Sequence, residues 1–201
     1  MQESNMLSEI EIINGCKKNK KAAQIALYEK YSPVLRTICN RYAKDNEEAE
    51  DLLHDGIIKI LSNIKKYNEK GSFEGWLKRV TVNNAITYYH KNIKRRHQLN
   101  FEEAGVHFID EDENDCSDDD FRNCITNAEL SKDEMIRVIS GLPDGFRMVF
   151  NLYVFENYSH KEIGAELKIS VNTSKSQLSR ARKLLQKLLY QYCLDKKMKN
   201  E

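Results

Sequence analysis

Asn172, Lys175, Ser176, Ser179, Arg180 and Lys183 recur at steps of three and four, with no acid among them. Short polar groups beside long cations suit phosphates and base edges in a DNA major groove. A solvated helix face is the ordinary alternative. The residues just before favour the groove. In "YSHKEIGAELKIS", Ser159 and Glu162 have the spacing of a capping box that opens a short helix over Ile163 and Leu167. Gly164 and Ala165 are small enough to let a second helix approach, and Ser170 is a good N-cap for it. Val171, Leu178, Ala181, Leu185 and Leu188 are then the expected buried stripe, and the whole is a predicted helix-turn-helix.

A second set lies in "RVTVNNAITYYHKNIKRR", where Lys78, Arg79, Asn83, Tyr88, Lys91, Arg95 and Arg96 mix cations, amides and rings. Cations follow a phosphate backbone, rings stack on unpaired bases and amides read base edges, a combination suited to melting DNA. A basic surface helix with Tyr88 and Tyr89 closing the core is the alternative. A third set has the opposite sign. Glu47, Glu50, Asp51, His54 and Asp55 share the expected exposed side of "EEAEDLLHDGIIKIL". Such a face repels DNA and suits a basic protein. Acid–base catalysis by paired carboxylates would need convergent partners. No Gly-rich phosphate loop, metal-ligand spacing or nucleophile–base pair accompanies them, so no enzyme, cofactor or metal site is expected.

The elements that must position these sets are helical. Leu7 to Lys18 and Lys20 to Tyr42 read as two helices, the second buried through Ala23, Leu27, Tyr31, Val34, Leu35, Ile38 and Tyr42 and bent at Pro33. Asp45 and Glu48 suggest another capping box, followed by a stripe of Ala49, Leu52, Leu53, Ile57, Ile60, Leu61 and Ile64. Ser72 caps a helix predicted from Phe73 to about Lys94, with Phe73, Trp76, Leu77, Val80 and Ile86 inward. Ser131 and Glu134 restart helix over Met135, Val138, Ile139 and Leu142, and "FRMVFNLYVF" adds one more. No stretch alternates with period two, so the expected class is all-α.

Composition and charge divide the chain. Residues 1–96 carry 18 Lys and Arg against 12 acids, residues 97–130 carry 1 against 11, and residues 131–201 carry 13 against 8. Two basic domains, 1–96 and 128–201, are thus expected on an acidic flexible linker, 97–127. The linker is either a solubilising spacer or a regulatory segment. No apolar run nears the roughly 18 residues that span a bilayer, and the N-terminus lacks a signal peptide's pattern, so a cytoplasmic protein without membrane insertion is expected. Cys16, Cys39, Cys116, Cys124 and Cys193 are scattered without a C-x-x-C pair, which points to reduced thiols.

These segments together resemble an extracytoplasmic-function (ECF) sigma factor of the sigma-70 family. "EEAEDLLHDGIIKIL" looks like that family's polymerase-binding helix. "FEGWLKRVTVNNAITYYHKNIKRR" is similar to its −10 recognition segment, and "LPDGFRMVFNLYVFENYSHKEIGAELKISVNTSKSQLSRARKLLQKLL" to its −35 domain. The resemblance implies a sigma region 2 domain over 1–96 and a region 4 domain over 128–201. It implies that Asp51, Leu52, His54 and Asp55 grip the β′ coiled coil of core RNA polymerase, and that the β flap is a second contact. It places Asn83 at or beside a loop that captures a flipped −10 base, with Lys91, Arg95 and Arg96 on nearby backbone. Asn172, Thr173, Lys175, Ser176, Ser179 and Arg180 match positions that enter the −35 groove. Promoter DNA and an anti-sigma factor are the other implied partners. The chain departs from the pattern at His54, where glutamine is usual, and at Gly56 and Ile57, where bulkier residues are. Lys168 stands where glycine is common, and Asn172 and Ser174 replace a glycine and a valine.

A stand-alone helix-turn-helix regulator explains only the second domain, and neither an effector pocket nor a dimerising element is evident. An anti-sigma-like interaction module explains the acidic helix but not the face from Lys175 to Arg180. An initiation factor that binds core polymerase, recognises −10 and −35 elements and aids melting explains all three sets.

Overall fold

The computed structural model describes residues 7–98 and 130–199. Among them are eight α-helices, one 3-10 turn at Ile64–Lys66 and no strand. Residues 99–127 of the expected acidic linker, with Cys116 and Cys124, lie outside the described residues. The chain divides into two compact units, 1–88 and 89–201.

In the first unit, α1 (Glu9–Lys17) opens on a reciprocal capping box between Ser8 and Glu11 and buries Ile12, Ile13 and Cys16. It meets α2 (Lys21–Tyr42) at Gly15, where an added Cβ would lie 2.4 Å from the Cβ of Ala23. Only glycine permits that approach. α2 runs through Pro33, which is exposed, and buries Ala23, Leu27, Tyr31, Leu35, Ile38 and Tyr42. Val34, expected inside, is half-buried. α3 (Asn46–Asn63) starts with Asp45 accepting from the Glu48 N–H at 2.8 Å. The expected box is not closed, because the Glu48 carboxylate accepts from the Lys44 N–H instead, at 2.6 Å.

An aromatic cluster seats α4 (Phe73–Gln98). Phe73 is fully buried, with ring centroids 5.5 Å from Tyr31, 5.1 Å from Tyr67 and 5.9 Å from Trp76. Trp76 caps that cluster half-buried rather than sitting at its centre. Tyr67 Oη donates to the Gly71 carbonyl at 2.8 Å, closing the loop before α4, and Ser72 Oγ accepts from the Gly75 N–H at 3.1 Å. The inward side of α4 holds Phe73, Leu77, Thr81, Val82, Asn84, Ala85 and Ile86, while Val80 is half-buried. α4 has no breaker after Gly75 and continues past the expected end near Lys94.

In the second unit, α5 (Lys132–Ser140) opens on the Ser131–Glu134 box and leads through Pro143 into α6 (Asp144–Val154). Arg147 of α6 is buried, yet its guanidinium is satisfied. Nη1 donates to the Ser140 and Leu142 carbonyls at 3.0 and 2.7 Å, and Nη2 to Asp144 at 2.6 Å. These bonds hold the α5–α6 turn. α7 (His160–Leu167) and α8 (Val171–Lys199) follow. The end of α8 returns to the start of α5, where Tyr192 Oη and Lys196 Nζ both donate to Glu134, at 3.0 and 3.1 Å.

Glu134 therefore serves one cap and one tertiary contact. The Ser131 N–H and hydroxyl, Lys196 and Tyr192 all favour its anion and hold its pKa at about 2, against an ordinary 4.5. A depressed carboxylate stabilises the fold above its unfolded pKa, and that contribution disappears as pH falls through the folded one. Glu134→Gln is expected to lower stability at pH 7 and to flatten the loss between about pH 4.5 and pH 2. Acid titration of helical circular dichroism, wild type against variant, checks this.

Candidate nucleic-acid interface and protein dock

The turn between α7 and α8 is built as its sequence predicts. Ser159 Oγ accepts from the Glu162 N–H at 3.3 Å, and Glu162 Oε2 accepts from the Ser159 N–H at 2.8 Å. α7 ends at Lys168 in the left-handed region, φ 57° and ψ 42°, and the Lys168 and Ile169 N–H groups both reach the Gly164 carbonyl. An added Cβ at Gly164 would lie 2.9 Å from the Ile169 carbonyl oxygen, so the turn is this tight only because residue 164 is glycine. Ser170 Oγ then accepts from the Thr173 N–H at 2.9 Å and launches α8.

On α8, Asn172, Lys175, Ser176, Ser179, Arg180 and Lys183 are all exposed. They form two adjacent rows at four-residue steps, Asn172–Ser176–Arg180 and Lys175–Ser179–Lys183. Glu166 and Asp195 are the nearest acids on either side in sequence, so a long cationic and amide surface is uninterrupted. Thr173 departs from this group: it is half-buried, and its hydroxyl shares a 2.8 Å bond with Ser170, which makes it part of the cap. The expected buried stripe also needs correction. Val171 is 41% exposed, whereas Ser174 is fully buried and begins the stripe that continues through Leu178 and Ala181. Three residues turn an α-helix by about 300°, which leaves Val171 about 60° off the line of Ser174. Leu185 and Leu188 are half-buried, with Leu189 and Cys193 inside.

α4 carries a comparable row. Arg79, Asn83, Thr87, Lys91 and Arg95 are exposed at four-residue steps, and no acid occurs from Gly75 to Gln98. Lys78 is partly tied down by a 2.6 Å ion pair with Glu74, and Tyr88 is half-buried beside the row. Arg96 continues the helix. Asn83 is not at a helix end or beside a loop: it stands in the middle of α4, ten residues from Phe73. Its neighbour Asn84 faces the other way, buried, with Nδ2 donating to the Leu52 carbonyl at 3.0 Å. That bond fastens α4 to α3.

α3 presents the acids. Glu47, Asp51, His54 and Asp55 are exposed. Leu52, expected on the same surface, is only 2% exposed and points into the core, so it has no side chain to offer a partner. Glu50 is also withdrawn. Both its carboxylate oxygens accept from Arg36 of α2, with Nη2 2.9 Å from Oε2, and this pairing lowers its pKa. Among the described residues no cation pairs with Asp51 or Asp55, which stand one turn apart. No group of described residues is placed to hold a metal ion.

Sequence reasoning missed the buried polar residues Arg147, Asn84 and Ser174 and the Arg36–Glu50 clamp. Each partner is set by tertiary or turn geometry, and periodicity carries no signal for it. Among the described residues no helix is long and apolar enough to cross a membrane.

Comparison with known proteins gives two family matches and several relatives. Residues 27–95 match the family described as Sigma-70 region 2, and residues 132–185 match Sigma-70, region 4. The chain is 28% identical over 178 residues to the ECF RNA polymerase sigma factor SigW of Bacillus subtilis, covering 88% of this chain and 94% of that protein. It is 26% identical over 163 residues to the ECF RNA polymerase sigma factor SigE of Mycolicibacterium smegmatis, covering 81% of this chain and 60% of the relative. A solved structure of the sigma factor RpoE in complex with the anti-sigma factor NepR from Bartonella quintana is similar at 22% identity and a TM-score of 0.46, covering 81% and 93% of the two chains.

Lys168 is the one strained point in the turn. A residue with a Cβ in the left-handed region costs about 1–2 kcal/mol, of which the extra freedom of an unfolded glycine returns part. Lys168→Gly is therefore expected to stabilise the second unit by about 0.5–1 kcal/mol. Chemical denaturation at constant pH measures it.

Proposed function

This chain belongs to the extracytoplasmic-function subfamily of the sigma-70 family of RNA polymerase sigma factors, and from that premise we propose how its surfaces divide the work of transcription initiation. Asp51 and Asp55, with His54 between them, dock a basic surface of core polymerase. Asn83, Lys91, Arg95 and Arg96, with Tyr88 beside them, follow the −10 element as it melts. Asn172, Lys175, Ser176, Ser179, Arg180 and Lys183 enter the −35 major groove. The two functional domains are those of residues 1–96 and 128–201. The chain acts in the cytoplasm, and as a binding factor rather than an enzyme.

The observation that carries this assignment is the opposite sign of exposed faces within one chain. A face of paired carboxylates has no use against DNA phosphate, and an acid-free face of amides, hydroxyls and cations has little use against an acidic protein. Asn83 acts from a helix surface, so the base it reads must come to it. A free-standing helix-turn-helix regulator would leave the region 2 match without a role.

Two experiments test the division. Asp51→Arg with Asp55→Arg places like charges against a basic partner, which costs several kcal/mol. The double variant is expected to lose association with core polymerase while keeping its helix content and its region 4 fold. Wild-type core affinity in a sedimentation or pull-down assay defeats the docking assignment.

On the other face, Lys175→Ala and Arg180→Ala are expected to weaken initiation at promoters that require the −35 element. A lost base contact costs about 1–3 kcal/mol and relaxes preference at one position, whereas a lost phosphate contact weakens all sequences and flattens the salt slope. Unchanged activity, salt response and preference in both variants rule out a groove-facing α8.

A further inference from the structure

Ser174 is an anomaly in a buried stripe. Leu178 and Ala181 continue its line along α8, yet the residue that begins it carries a hydroxyl and is 0% exposed. The hydroxyl is satisfied by one side chain of another helix, the Nδ1 of His160, 2.9 Å away at the start of α7. The His160 ring in turn stacks on Tyr153 of α6, with centroids 4.8 Å apart and planes 24° apart. Arg182, back on α8, lays its guanidinium over the same Tyr153 ring at 5.7 Å. The contacts thus run from α8 through α7 and α6 and return to α8.

The two ends of this circuit are eight residues apart, about 12 Å along the helix. A helix gripped at two such points resists both sliding and rolling. Rolling matters for groove reading. A 20° roll of a helix whose side-chain tips lie about 5–6 Å from its axis moves those tips by about 2 Å. That exceeds the tolerance of a hydrogen bond to a base edge. Apolar packing is non-directional and permits such roll, whereas a hydrogen bond weakens steeply out of line. Stability alone does not call for a polar pair here, since replacing both partners of a buried bond by apolar groups of similar shape is close to neutral.

We infer that His160 and Ser174, backed by Tyr153 and Arg182, are positioning residues that set the roll of α8 and so determine which −35 bases its exposed rows prefer. The inference rests on the reading that those rows face the groove.

The test uses the full chain assembled with core polymerase and a library of −35 sequences. His160→Phe with Ser174→Val exchanges the polar pair for an apolar one. Ser174→Cys keeps the size and removes most of the bond, and His160→Asn keeps a polar group near the position of Nδ1. Thermal unfolding is measured alongside.

The apolar pair is expected to unfold at or above the wild-type temperature. Its discrimination between the preferred −35 sequence and single-base substitutions should nonetheless fall by about fivefold or more, the scale of one lost base contact. Ser174→Cys should move in the same direction, and His160→Asn should retain most of the preference. Wild-type preference in the apolar pair, or in Ser174→Cys where the pair does not fold, overturns the inference. Lys175→Ala and Arg180→Ala in the same library separate the two claims. If they alter preference and the clamp variants do not, the clamp alone is wrong; if they do not, the groove reading fails and takes the clamp with it.

Discussion

The 29-residue helix α8 must bury one stripe while leaving the opposite side bare, and the second unit is arranged around that constraint. Helices α5, α6 and α7 are short, of 9, 11 and 8 residues, and none is long enough to be stable alone in water. Each acquires its stability by packing on α8, and each is started by a local device: a capping box for α5 and α7, Pro143 for α6. Burying a leucine such as Leu178 or Leu189 stabilises by about 1.5–3 kcal/mol. That scale is why the register of the stripe, rather than the exposed rows, fixes which face is presented. The exposed rows follow from what the stripe excludes.

The first unit solves the same problem with a different partner. α4 is also long, and its polar row is the complement of the line Phe73–Leu77–Thr81, continued by Asn84 and Ala85. Where α8 is fastened to α7 by a serine–histidine bond, α4 is fastened to α3 by Asn84 and the Leu52 carbonyl. In both cases one directional bond interrupts an apolar stripe close to the residues that face outward. Leu52 illustrates the cost of reading α3 by surface alone. Its side chain belongs to the core and its carbonyl to the α4 anchor, so of the implied set only Asp51, His54 and Asp55 are exposed.

Much of this was legible in the sequence, and for a local reason. Capping boxes are written in residues three apart, so Ser131–Glu134 and Ser159–Glu162 locate helix starts without any tertiary information, and the Ser8–Glu11 box that starts α1 has the same spacing. The amphipathic lines of α2 and α3 were legible through their 3.6 period, and the acid-free faces of α4 and α8 through composition. The misreadings have equally local causes. Val171 and Ser174 differ by three residues, and an apolar residue in a first turn outweighs a small polar one when hydrophobicity alone is counted. The resemblance places Asn83 at or beside a loop, although no glycine or proline follows Gly75 to end the helix before Gln98. Asp45–Glu48 looked like a box because spacing cannot tell that the Lys44 N–H takes the glutamate.

The charge pattern shows most clearly why residue lists need geometry. The acidic helix offers five candidate side chains in sequence, Glu47, Glu50, Asp51, His54 and Asp55. Arg36, eleven residues before Glu47 and on another helix, removes Glu50 by a two-point pairing. What remains is Asp51, His54 and Asp55 within about one helical turn, with Glu47 a turn earlier. Their field decays over about 8–10 Å at moderate salt, so a partner senses them only at contact distance. Among the described residues no cation of the α4 row forms an ion pair with them. An acidic dock and a basic nucleic-acid surface can therefore coexist in a small domain, provided they lie on different helix faces and no internal cation reaches the dock. Arg36 is already committed to Glu50, and the bidentate geometry that commits it leaves Asp51 and Asp55 without an internal cation among the described residues.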